Sequence, residues 1–161
     1  KHVFLIVALV CSLSAFAQTS TRTIALHYPE SSLTQLQPGD TLTIQYSSMG
    51  CFGDTKQKLL IIQQGNGYQA ERYIIPETYD KQEKKMVQHA DSLVNTAILT
   101  EQNIQDFAQF EYELTQARKA NCTTVDTYII KSKYLNMEKT DGSCQWNGFY
   151  HLTRSFFGVN P

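Results

Sequence analysis

An α+β domain is the fold class the sequence predicts: an antiparallel sheet of N-terminal strands plus a C-terminal hairpin, packed with two central helices and a short C-terminal helix. Three observations point to it. Apolar and polar residues alternate between positions 41 and 46, helical spacing takes over in the middle of the chain, and two cysteines bound a hairpin pattern between 122 and 144. Strands grouped apart from helices are the pattern of α+β folds.

The weak alternation of "RTIALHY" (22–28) predicts a first strand. Pro38-Gly39-Asp40 then turns the chain, and Leu42, Ile44 and Tyr46 alternate with Thr41, Thr43 and Gln45, the period of a half-buried strand. "KLLIIQQ" (58–64) is a continuous apolar run of the kind found in central strands. Gly65-Asn66-Gly67 tolerates positive φ, and "YQAERYII" (68–75) returns as a hairpin partner, ended by Pro76.

Asp80 followed by Glu83 has capping-box spacing, and Met86, Val87, Ala90, Leu93 and Val94 recur on one helical face, so a first central helix is expected there. The second begins at Thr100, an N-cap residue with Leu99 and Ile104 at the staple positions. Ile104, Phe107, Ala108, Glu111 and Leu114 form its stripe, with the polar Glu111 at the stripe's edge, and Arg118 and Lys119 suit its C-terminal end. In the hairpin that follows, a register placing Cys122 opposite Cys144 implies a three-residue loop, Ser132-Lys133-Tyr134. The last helix has Asn147 at its cap, Phe149, Leu152 and Phe156 on one face, and Gly158 at its end.

The 161 residues suit one compact domain. Residues 1–17 have the pattern of a secretory signal: a basic start, an apolar run from Val3 to Val10, and Ala15-Phe16-Ala17 before Gln18. This segment resembles the export signals of Gram-negative bacteria, which implies a single domain over 18–161 placed in the periplasm or outside the cell. A run this short falls below the roughly 20 apolar residues of a spanning helix, so no membrane span is expected in the exported chain. Charged residues make up 18% of the chain with a net charge of −1, and the lysine clusters are short and interrupted, which argues against nucleic acid as a partner.

Of the four cysteines, Cys11 falls in the signal. Cys122 and Cys144 lie at the open end of the predicted hairpin, and a disulfide there is worth about 3 kcal/mol. Pairing of Cys51 with either of them is also compatible with the sequence. With the hairpin pair joined, Cys51 is a lone thiol between Gly50 and Gly53, in a turn able to present sulfur and backbone N–H groups. A cysteine hydrolase or transferase needs a histidine base as well, and the candidates are His27, His89 and His151. No local spacing suggests a metal site, no motif suggests a cofactor, and Glu111 and Glu113 diverge on a helix.

Phe52, Tyr68, Tyr134 and Trp146 fall in or beside turns, where exposed aromatics anchor interfaces. The expectation is therefore a small exported, disulfide-containing domain that binds a protein, peptide or envelope component without catalysing a reaction. A cysteine-dependent enzyme built on Cys51 and a structural envelope protein are the alternatives.

Overall fold

The computed structural model of the protein describes residues 30–50, 53–116 and 122–158. The segment expected to be a signal (1–17), the strand expected over 22–28, His27, Cys51, Phe52, Arg118 and Lys119 lie outside them.

The described residues form a mostly antiparallel sheet with two helices, a mixed α+β fold. Strands β1 (Thr41–Gly50), β2 (Gly53–Gln64) and β3 (Gly67–Ile74) follow one another as hairpins, with the alternating segment in β1, the apolar run in β2 and Gly65-Asn66 in the turn to β3. A small separate hairpin, β4 (Glu77–Asp80) and β5 (Lys85–Gln88), precedes β6 (Ser92–Ile98). Helix α1 (Glu101–Thr115) then carries the chain to β7 (Val125–Ser132), β8 (Asn136–Asp141) and helix α2 (Gly148–Phe157). The large sheet has the order β6-β3-β2-β1-β7-β8, so β1, the first strand among the described residues, is central and is flanked by β2 and β7.

One face of this sheet carries the core. Leu42 and Ile44 of β1, Leu59 and Ile61 of β2, Ala70 of β3, and Tyr128 and Ile130 of β7 are buried against Phe107, Phe110 and Leu114 of α1 and Phe149, Leu152 and Phe156 of α2. Each large apolar side chain buried in this way contributes about 1.5–3 kcal/mol. No helix among the described residues is long and apolar enough to cross a membrane.

The first central helix expected over 80–94 is not formed; β4, β5 and the start of β6 occupy that segment. The capping signal was chemically sound and structurally ambiguous. Asp80 Oδ1 accepts from the backbone N–H groups of Gln82 at 2.7 Å and Glu83 at 3.1 Å, the bonds an N-cap would make. The chain then passes through Lys84 at φ 52° and returns as β5. Met86, Leu93 and Val94 are exposed, so a helical stripe there would have had no core to bury against.

The C-terminal hairpin is present with a different register. Lys131 pairs with Asn136, and the Ser132 N–H bonds to the Leu135 carbonyl at 2.8 Å, leaving a two-residue loop, Lys133-Tyr134, in place of the expected three. Ser132 Oγ accepts from the N–H groups of Tyr134 and Leu135 and closes the turn one residue tighter. Cys122 and Cys144 therefore lie beyond the ladder instead of opposite each other in it. They still meet as a disulfide, with Cα atoms 5.9 Å apart. The Cys122 N–H bonds to the Gly142 carbonyl at 3.2 Å, and Cys144 takes φ 53°.

Thr100 caps the start of α1, as expected, and Asn103 completes a reciprocal capping box with it that the sequence reading did not include. Gly158 at φ 65° ends α2, whereas Asn147 sits at its N-cap without a side-chain capping bond. Glu111 is not a solvated edge. Its carboxylate accepts from the Ser32 N–H at 2.9 Å and from the hydroxyls of Ser31 and Ser32, tying the 3-10 turn Ser32–Gln35 to α1 and burying Leu33 between them.

Burial raises the Glu111 pKa above its ordinary value, opposed by the bonds from Ser32 and Ser31. The folded state thus holds this proton more tightly than the unfolded chain, and stability from this group is greatest in acid. It falls as pH rises from near the ordinary carboxylate value through the raised one, and is level above that. Glu111→Gln should remove this dependence, so the wild type gains on the variant as pH falls from neutrality towards 4.5. Urea unfolding of both proteins across that range measures it; a constant difference would show that Glu111 does not titrate in this way.

Candidate functional site

Helices α1 and α2 run in opposite directions, because Asn103 at the start of α1 bonds to Ser155 near the end of α2, while Glu113 near the end of α1 bonds to Trp146 just before α2. Between them lies a cleft of about 610 Å³. Its floor is Phe110, Trp146, Gly148 and Leu152; Asp106, Gln109 and Glu113 form one wall, and His151, Arg154 and Ser155 the other.

Trp146, the chain's single tryptophan, is held from both ends. Ser143 Oγ donates to the buried Asp141 carboxylate at 2.8 Å and accepts from the N–H groups of Gln145 and Trp146. The segment leaving the disulfide therefore has a fixed path. The indole Nε1–H donates to Glu113 Oε2 at 2.8 Å, and the ring stacks on Phe110 at 5.6 Å and lies 5.2 Å from Tyr128. Glu113 also accepts from Gln109 at 2.7 Å. Asp106 accepts from Gln102 and from the Ser155 hydroxyl.

Gly148 lets the ring lie this close. A Cβ on it would stand 2.1 Å from the indole Cζ2, inside any permissible contact. Gly148→Ala should displace the indole from Glu113 and destabilise the protein by about 1–3 kcal/mol through overpacking. A red-shifted tryptophan emission together with a lowered urea midpoint is the expected result; an unchanged spectrum would refute this role for the glycine.

The other expected site residues among those described are dispersed. Tyr68 is partly buried and its hydroxyl donates to the Leu33 carbonyl at 2.9 Å. Tyr134 is exposed in the β7–β8 loop, with the Lys133 ammonium 5.2 Å from its ring centre. His89 follows β5, whose Gln88 lines a recess on the sheet face opposite the helices, and its Nε2 lies 2.7 Å from Thr78 Oγ1. His151 lines the cleft between the helices, and His89 is not part of that lining. Glu111 and Glu113 do diverge, one towards Ser31 and Ser32, the other towards Trp146. Among the described residues no three His, Cys, Asp or Glu side chains converge as a metal site would require.

Sequence reasoning singled out Trp146 but not its setting, and missed Asp106, Glu113 and Arg154 as neighbours in one cleft. A lone tryptophan two residues before a helix-initiating glycine was the available signal. Compared with known protein families, characterised proteins and solved structures, the chain matches none of them.

Proposed function

We propose that this chain is an exported, non-catalytic binding domain whose α1–α2 cleft takes a peptide segment of a protein or envelope component. The observation that carries the reading is the partly exposed Trp146 indole, locked by Glu113 onto the floor of an open cleft. An aromatic ring held in one rotamer offers apolar contact area at little cost in conformational freedom, which is why such rings anchor interfaces. Acceptors on the α1 wall and donors on the α2 wall suit a peptide, whose backbone offers both kinds of group to its surroundings. The Cys122–Cys144 disulfide is compatible with an oxidising compartment.

Panning of displayed random peptides on the purified domain, followed by titration of enriched sequences against Trp146 fluorescence, tests this. Enriched peptides should quench or shift the emission. They should bind Arg154→Glu and Gly148→Ala about tenfold or more weakly, a loss of about 1.4 kcal/mol. Equal affinity for wild type and both variants would remove the cleft from the reading, and absence of enrichment over a blank surface would remove the peptide.

A further inference from the structure

Arg72 is a buried cation that no acidic side chain among the described residues pairs with. It lies on β3, on the helix-facing side of the sheet, and is only 6% exposed. Its Nε–H donates to Gln57 Oε1 of β2 at 2.8 Å and its Nη1–H to Asn95 Oδ1 of β6 at 3.3 Å, both neutral acceptors. All 15 acidic side chains of the chain fall within the described residues. Among the described residues their ion pairs are with lysines, Lys56–Glu77, Lys58–Asp91 and Lys85–Glu83, and none reaches Arg72. Burial pulls its pKa below the ordinary guanidinium value, though an arginine remains charged at neutral pH.

A buried charge ordinarily comes with a partner, because removing an ion from water without one is strongly unfavourable. Nothing in the packing demands a cation here. The neighbouring position on β2 is the fully buried Leu59, and Ile44 and Ile130 continue the same row across the sheet. With their oxygens turned to the guanidinium, Gln57 and Asn95 each have an N–H2 group left to offer a second acceptor.

We propose that Arg72, Gln57 and Asn95 form a binding site for a small carboxylate, distinct from the cleft between the helices. Nη2, for which no bond is made among the described residues, and the second N–H of Nη1 present parallel N–H groups that match the two oxygens of a carboxylate. One guanidinium with two neutral amides neutralises a monoanion; a phosphate dianion would leave excess negative charge in a buried site. Asn95 lies on the edge strand β6 and is partly exposed, so the ligand approaches from the sheet edge.

The test uses the intact isotope-labelled protein and follows the arginine Nε–Hε resonances by NMR during addition of sodium acetate, with sodium chloride and sodium phosphate at matched ionic strength and neutral pH. The Arg72 signal should move saturably with acetate and not with chloride. Asn95→Asp places a resident carboxylate beside the guanidinium and should abolish the acetate response while raising the melting temperature. A wild-type Arg72 signal that ignores acetate, or follows chloride equally, overturns the site. Tighter binding of phosphate than of acetate overturns the carboxylate assignment, and an Asn95→Asp protein that answers acetate as the wild type does overturns the role of Asn95.

Discussion

Truncating Tyr128 to alanine is expected to remove about 3–5 kcal/mol of stability, the largest single-residue effect in the molecule. Tyr128 is 1% exposed on a strand beside the central one, and its ring meets Tyr46 at 5.3 Å, Phe110 at 6.0 Å and Trp146 at 5.2 Å. It thus joins the sheet to α1 and to the segment leading into α2. Its removal leaves a cavity where three aromatic rings lose a neighbour at once, and rings held by the backbone of different elements cannot all collapse into the space. Burial, with Asp126 and Tyr46 nearby, drives the Tyr128 pKa far up, so the phenol is neutral throughout the working range. Tyr128→Phe keeps the ring and should cost only about 1 kcal/mol. Urea unfolding of both variants decides the matter; an alanine variant within about 1 kcal/mol of wild type would show that the cluster can repack. For a domain with about 5–15 kcal/mol in total, the expected loss is a large share of what holds it folded.

The second large effect is that of the disulfide. Replacing Cys122 and Cys144 together with serine should cost about 3 kcal/mol, chiefly by freeing the unfolded chain across a sequence separation of 22 residues. A local effect should accompany it. Cys144 is followed at once by Gln145 and Trp146, and the disulfide pins that segment where Ser143 bonds to Asp141. The unlinked protein should therefore show a red-shifted tryptophan emission before it unfolds. Equal unfolding free energies for oxidised and reduced protein would mean that the hairpin ladder alone fixes this end of the molecule.

How much of the fold was legible depended on whether each segment had two different sides. In β1, Leu42 and Ile44 are fully buried while Thr41 and Gln45 are exposed, so the alternation was plain. Helix α1 announced itself through Thr100, whose cap is used as its chemistry suggests. The 80–98 region failed because Asp80 makes the same two bonds in a turn as at a helix start, and because β4 and β5 bury so little that no contrast between faces reaches the sequence. Hairpin register was lost to one serine hydroxyl. The cysteine pair was legible because proximity in the chain brought it together. The cleft was not, since Asp106, Glu113 and Arg154 become neighbours only when two helices pack, and no local spacing encodes that. Arg72 was hidden for a similar reason: its partners come from two other strands.

The central position of β1 has a consequence for how the chain reaches this state. Ile44 pairs with Leu59 nearby and with Ile130 much later in the sequence. The β1–β2–β3 meander involves only local contacts and can assemble early, whereas β7 must close a long loop before it docks. Until then one side of β1 presents a row of unpaired N–H and C=O groups beside the apolar Leu42 and Ile44, an open template for another chain. A polypeptide emerging from its N-terminal end is therefore most prone to aggregate in the interval after β3 and before β7. Mutations that slow the docking of β7 should lower the yield of folded protein more than their effect on equilibrium stability would suggest.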